Sequence, residues 1–258
     1  MHKEKPLQTF LLYHAVAALF FFSWYLEPGS RVWQVIDHSV FRFLNGSLTD
    51  SPVMQVFWAL ANLKISDLFG ALFMTSFSLL WVFDAPKELR PARIAQFIYL
   101  LIWFEAGILL LKELIFPYLV SINFLRDSPS IVHSGSVMLS ESMGWLKVKD
   151  SSRWSFPGDH ALIIFQWASF MALFSGYRLG ILAFLSSCLF IMPRLIAGAH
   201  WLSDALCGSL PLALCIVAWA TCTPLYPLIL PYLTRLSTLF FIRKPKGTLH
   251  AKKLSAPV

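Results

Sequence analysis

Three polar clusters interrupt an otherwise apolar chain: Arg126-Asp127-Ser128-Pro129, the run from Arg153 to His160, and Pro193-Arg194 followed by His200-Trp201-Leu202-Ser203-Asp204. In the last of these, His200 and Asp204 are spaced to share one face of a helix, so the carboxylate can bond one ring nitrogen. The other nitrogen is then left basic. A nucleophile or general base needs that arrangement, because the acid fixes the tautomer and stabilises the charge that develops. Arg194, a turn or more earlier, can hold phosphate oxygens with two parallel N–H groups.

The element Pro157-Gly158-Asp159-His160 stands where a polar stretch enters an apolar run. Proline suits the first turn of a helix, and backbone N–H groups at such a start can face an anion. Gly158 and Asp159 belong to that cradle, and His160 is placed as a second, acid histidine. The plainer reading is that Arg and His mark helix ends in a membrane; the shared order and membrane side of the clusters favour a site. Two histidines and scattered carboxylates do not make a three- or four-ligand zinc spacing, so neither metal nor cofactor is expected. Lys112 with Glu113, and Lys64 with Asp67, put charge at span ends; such charges are functional candidates, although a lysine there can simply snorkel.

The elements that must position these residues are membrane helices. Hydrophobic residues make up 57% of the 258 residues and aromatics 16%, and the mean hydropathy is +0.64, outside the range of soluble domains. Periodicity and length predict six spans in a single domain over 1–258: Phe10 to Leu26, Leu68 to Phe83, Ile94 to Phe116, Ala161 to Phe174, Ile181 to Ile196 and Leu202 to Thr221. No A-x-A-like cleavage site follows the first run, which reads as a retained helix. Arg31 to Phe43 and Val53 to Leu63, separated by Asn45-Gly46, suit helices lying at the interface as a lid or lipid-entry surface. The polar loop 117–158 leads into the second cluster.

The net charge of +7 comes from basic residues scattered between spans, which argues for membrane topology and against nucleic acid as a partner. With six spans, Lys3, Lys5, Lys87, Arg90, Arg93, Arg178 and the basic tail 235–258 share one side, the cytoplasmic one. The three polar clusters then face the periplasm of a bacterial inner membrane. Cys188, Cys207, Cys215 and Cys222 fall in apolar runs without metal-type spacing and read as packing residues.

These motifs resemble the type 2 phosphatidic acid phosphatase (PAP2) superfamily, whose signatures run K-x6-R-P, P-S-G-H and S-R-x5-H-x3-D. The third is matched by Pro193-Arg194, His200 and Asp204, with Pro in place of Ser. In the second, Gly158-Asp159 replaces Ser-Gly, so the serine donor is missing or is supplied by Ser155. The first is matched loosely by Lys112 and Arg126. Within the superfamily, Lys149 to His160 with Pro193-Arg194 and Gly198-Ala199-His200-Trp201 is similar to the lipid A 1-diphosphate synthase group, and Asn62-x-Lys64-x-x-Asp67 extends the likeness.

The resemblance implies an all-α, six-span bundle with a periplasmic-facing site. It implies transfer of phosphate from undecaprenyl diphosphate to the 1-phosphate of lipid A. His200 would be the nucleophile, Asp204 its orienting acid and His160 the proton donor, with Arg126, Arg153 and Arg194 neutralising phosphate oxygens. A phosphatase, with water as acceptor, shares these motifs. A transporter or lipid-binding protein would use the arginines only to hold headgroups, and a vanadate haloperoxidase fits poorly with six spans. The sequence leaves the oligomeric state open.

Overall fold

The computed structural model describes residues 6–239. Helices α1 (Pro6–Tyr25), α2 (Gly29–Gly46), α3 (Pro52–Ala61) and α4 (Lys64–Phe83) come first. Helix α5 (Arg90–Leu109) continues through a π turn (Leu110–Ile115) into α6 (Phe116–Ser121). The polar loop holds two single turns, α7 (Pro129–Val132) and α8 (Leu139–Ser142). Helices α9 (Asp159–Phe174) and α10 (Tyr177–Ile196) follow, then a second π turn (Asp204–Ser209) leading into α11 (Leu210–Cys222), and finally α12 (Leu225–Leu239). No strand occurs among the described residues; a single bridge joins Arg126 to Trp154.

The chain is a multi-pass membrane protein. Among the described residues, five helical stretches are long and apolar enough to cross a bilayer: Pro6–Tyr25, Lys64–Phe83, Arg90–Ser121, Tyr177–Ile196 and Asp204–Cys222. A 20-residue helix such as α4 is about 30 Å long, the thickness of the hydrocarbon core. The expected span at Ala161 to Phe174 is α9, which has only 16 residues. It differs from the others by lying inside the bundle, with Leu162, Ile164, Phe165, Trp167, Phe170 and Met171 all buried. Its neighbours, not lipid, meet its faces.

Trp81, Tyr99, Trp167, Phe170 and Met171 form one half of the core, and Leu111, Leu162, Phe165, Ile191, Leu195 and Ile216 the other. Polar edges among the former are satisfied: Trp167 Nε1 donates to Ser78 Oγ at 3.1 Å and the Tyr99 hydroxyl donates to Ala220 O at 2.6 Å. At the end of the bundle away from the polar clusters, Arg90 Nη2 donates to Phe83 O at 2.9 Å and Nε to Ala85 O at 3.0 Å, closing the end of α4 and the turn that follows it. Arg93 does the same for Trp81 O.

Two regions differ from the sequence expectation. The α2 segment has one face docked on the bundle, where Asp37, Phe41 and Asn45 are buried. Asn45, expected in an open turn, donates to Val137 O (3.1 Å) and Ile196 O (3.0 Å) and accepts from Val137 N (2.8 Å), pinning the polar loop to the end of α10. The expected basic tail begins inside a helix, because α12 runs to Leu239 and packs on α5 through Tyr226, whose hydroxyl accepts from Gln96 Nε2 at 2.8 Å. Lys3, Lys5 and residues 240–258 lie outside the described residues. Of the cysteines, Cys207 is buried and Cys215 and Cys222 are half-buried, whereas Cys188 is exposed.

Candidate active site

The polar loop closes on itself before it meets α9. Arg126 O accepts from both Ser155 N and Ser155 Oγ at 3.0 Å, and Ser128 N donates to Ser152 O at 2.8 Å. Ser155 is fully buried by this pairing, and its carbonyl is left to project toward His200. From the other side, α10 ends and the chain turns through Gly198 at φ +83. A Cβ there would stand 2.9 Å from both Phe41 and Ser130, so glycine is required by conformation and by space. Ser130 N donates to Gly198 O at 3.2 Å and fixes the turn that delivers His200.

His200 Nδ1–H donates to Ser155 O at 2.7 Å. That bond sets the tautomer and leaves Nε2 with its lone pair. Nε2 is buried and has no hydrogen-bond partner. It faces a narrow cleft walled by Gly158, His160, Arg194 and Ala205. The expected hydrogen bond from His200 to Asp204 is therefore made by a backbone carbonyl. Asp204 Oδ2 stands 3.7 Å from Nδ1, within electrostatic reach of an imidazolium, and accepts from Trp201 N at 2.7 Å.

Arg126 is the partner of Asp204: Nη1 donates to Asp204 Oδ1, and Nη2 to Asp37 Oδ2 at 2.8 Å. The guanidinium lies over Trp24 (5.2 Å) and Trp201 (5.6 Å). The structure thus places Arg126 behind Asp204, occupied by two carboxylates, and not in the cleft with His160 and Arg194. Asp37 also accepts from Ser203 N at 2.9 Å and from Ser203 Oγ. Burial pushes its carboxyl above the ordinary value, against the hydrogen bonds from Ser203 and the charge of Arg126. Asp37 was not among the sequence candidates. Its signal was a lone acid in the amphipathic α2, spaced among Val35, Ile36 and Phe41, which a lid reading assigns to solvent.

Arg194 is buried and held from two sides: Nη1 donates to Asn62 O at 2.9 Å, and Nη2 to both oxygens of Asp67 at 2.9 Å. His160 Nε2 lies 3.3 Å from Phe190 O, and Nδ1 lies 3.7 Å from Asp67 Oδ1. His160, Arg194 and His200 therefore meet around one cleft. Gly158 is part of its wall, and a Cβ there would lie 3.5 Å from His200 Nδ1. The Ser155 hydroxyl is turned away to Arg126 O and does not supply the donor that the resemblance leaves open.

The cleft abuts a cavity of about 820 Å³ that contains the side chains of Lys64, Lys112, Lys147 and Lys149 as well as Asp159, His160 and Arg194. Lys149 Nζ is 3.8 Å from Asp159 Oδ1. Lys64 and Lys112 are exposed and carry no ion pair among the described residues. Asp67, Glu105 and Asp150 line it too, so the chamber carries both signs of charge, and it is wide enough for a headgroup phosphate. Arg153 is exposed on the loop and does not line it. Among the described residues no group of three His, Cys, Asp or Glu side chains is gathered to hold a metal ion.

Comparison with known proteins gives the family. Residues 120–227 match the PAP2 superfamily. The chain is 30% identical over 227 residues to lipid A 1-diphosphate synthase of Escherichia coli (strain K12), an alignment covering 86% of this chain and 90% of that one. No solved structure matches. His160, Arg194, His200 and Asp204 fall inside the matched region; Asp37, Asn62 and Asp67 fall before it.

Proposed function

The chain belongs to the PAP2 superfamily and is an enzyme of the phosphatase or phosphotransferase kind, and on that premise we propose that it moves a phosphate from undecaprenyl diphosphate to the 1-phosphate of lipid A through a phosphohistidine. The observation that carries the proposal is His200: one nitrogen is held by Ser155 O and the other is buried, unpartnered and turned into a cleft shared with a second histidine and an arginine. The relative's product, a lipid A 1-diphosphate, supports the choice of acceptor, and the resemblance of Lys149 to His160 supports the donor.

In this reading His200 Nε2 attacks the terminal phosphorus of the donor. The N–P bond forms as the P–O bond to the departing lipid phosphate breaks, and His160 gives its proton to that oxygen. Arg194 offsets charge on the equatorial oxygens, with Lys112 and the cradle at Gly158 and Asp159 lining the approach. A phosphate oxygen of the acceptor then attacks phosphorus and the His200 nitrogen leaves with its lone pair. Most of the work is positioning and electrostatics. Asp204 steadies the imidazolium character of the phosphorylated ring at 3.7 Å, and Arg126 acts on the site through Asp204. Arg153 is assigned to headgroups approaching along the loop. The side facing this chamber is the periplasmic face of a bacterial inner membrane.

The test is transfer of label from terminally radiolabelled undecaprenyl diphosphate by purified protein in detergent. Label appearing in a lipid A diphosphate only when lipid A is present supports the transferase. Free phosphate with lipid A unchanged makes it a phosphatase. A His200→Ala protein that still turns over removes the nucleophile assignment and favours a lipid-binding or transport role.

A further inference from the structure

The site draws on a segment outside the family's matched region. Asn62, at the end of α3, donates from Nδ2 to Lys149 O at 2.7 Å and accepts from Arg194 Nη1 through its backbone carbonyl at 2.9 Å. Five residues on, in the first turn of α4, Asp67 receives Arg194 Nη2 on both oxygens at 2.9 Å and comes within 3.7 Å of His160 Nδ1. One carboxylate thus touches the phosphate-facing arginine of α10 and the acid histidine of α9. Asn62 Oδ1 is buried beside it without a partner.

We infer that Asp67 is a positioning residue for phosphoryl transfer, acting through Arg194 and His160, and that the α3–α4 junction is therefore part of the active site. A guanidinium has fixed fork geometry; anchoring Nη1 and Nη2 holds the whole plane in one place in the wall of the cleft it shares with His200. Without the anchor, the same arginine must find its orientation each time a phosphate arrives. A misplacement of the order of 1 Å costs roughly 10²-fold in rate. The effect falls on the transferred group in the transition state more than on substrate capture, which the exposed lysines of the chamber provide.

The inference rests on the assignment of His200 as nucleophile, and the experiment separates the two. Steady-state kinetics on labelled undecaprenyl diphosphate are measured for the wild type and for His200→Ala, Asp67→Asn, Asp67→Glu, Arg194→Lys and the double variant Asp67→Asn/Arg194→Lys. Asp67→Asn should lower kcat on the order of 10- to 100-fold with KM changed less than about threefold, and Asp67→Glu should recover part of the loss. The double variant should be no slower than Arg194→Lys alone, since both changes remove one arrangement. A kcat for Asp67→Asn close to that of the wild type, or losses that multiply in the double variant, would overturn it. If Asp67→Asn does not fold, the cycle of Asp67→Glu with Arg194→Lys makes the same comparison. Undiminished turnover by His200→Ala refutes the underlying reading instead, and the inference with it.

Discussion

The backbone carbonyl of Ser155 accepts the Nδ1 proton of His200 at 2.7 Å, while the carboxylate four residues along the chain, Asp204, stands 3.7 Å from the same nitrogen. Tautomer control therefore sits in the polar loop. In serine-protease triads, where the carboxylate holds that position, replacing it by its amide costs about 10⁴-fold because the wrong tautomer results. Asp204→Asn here leaves the Ser155 bond in place. Its rate should fall by roughly 10- to 100-fold, well short of the serine-protease value. Phosphoenzyme formation followed in a rapid-quench experiment checks this, and a loss as complete as that of His200→Ala would return the tautomer role to Asp204.

Arg126 neutralises two nearly inaccessible carboxylates, Asp37 and Asp204. Removing one partner of such a group leaves uncompensated buried charge, at a cost of about 3–5 kcal/mol. Arg126→Ala should therefore lower the midpoint of thermal aggregation in detergent. Adding Asp37→Asn to that variant should restore part of the loss. If Arg126 only gripped substrate phosphate, stability would be unchanged and KM alone would rise.

The helices, and the meeting of His160, Arg194 and His200 at their ends, were legible from a local signal: apolar runs of the right length with polar residues where they stop. What was not legible depends on distance along the chain. Asp37 meets Arg126 and Ser203 across 89 and 166 residues, and Asp67 meets Arg194 across 127. No periodicity within α2 or α4 announces such partners. The helical spacing of His200 and Asp204 suggests a hydrogen bond that the turn at Trp201 redirects, since Asp204 Oδ2 is taken by Trp201 N. Backbone acceptors such as Ser155 O carry no sequence signature at all.

The polar loop is joined to α2 by a hydrogen bond between His38 Nδ1 and His133 Nε2 at 2.7 Å. Burial lowers the His133 pKa below its ordinary value of 6.5, aided by the charges of His38 and Arg42. The folded form thus prefers the neutral ring, and the unfolded chain binds the proton more readily. Stability from this contact is complete above about pH 6.5 and declines as pH falls through the lower folded value. Hydrogen exchange in the segment 129–139 should accelerate between pH 7.5 and 5.5 beyond the intrinsic trend. His133→Gln should flatten that dependence; an unchanged profile in the variant would assign it elsewhere.

Gly198 offers the sharpest test of how His200 is delivered to the cleft. Its backbone is left-handed at φ +83, and a Cβ would lie 2.9 Å from Phe41 Cε2 and Ser130 Cβ. Alanine in such a conformation costs roughly 1–2 kcal/mol, and the steric overlap adds about 1–3 kcal/mol because neither Phe41 nor Ser130 sits on a free surface. The neighbours resist for a specific reason: Ser130 Oγ donates to Asp150 O at 2.6 Å, and Phe41 is buried against His133 and Trp201. The turn must yield instead, and His200, two residues on, moves with it. Gly198→Ala should lower both thermal stability and kcat, whereas Gly144→Ala, where a Cβ meets nothing within 4 Å, should change neither. Equal behaviour of the two variants would show that His200 is positioned independently of the turn that precedes it.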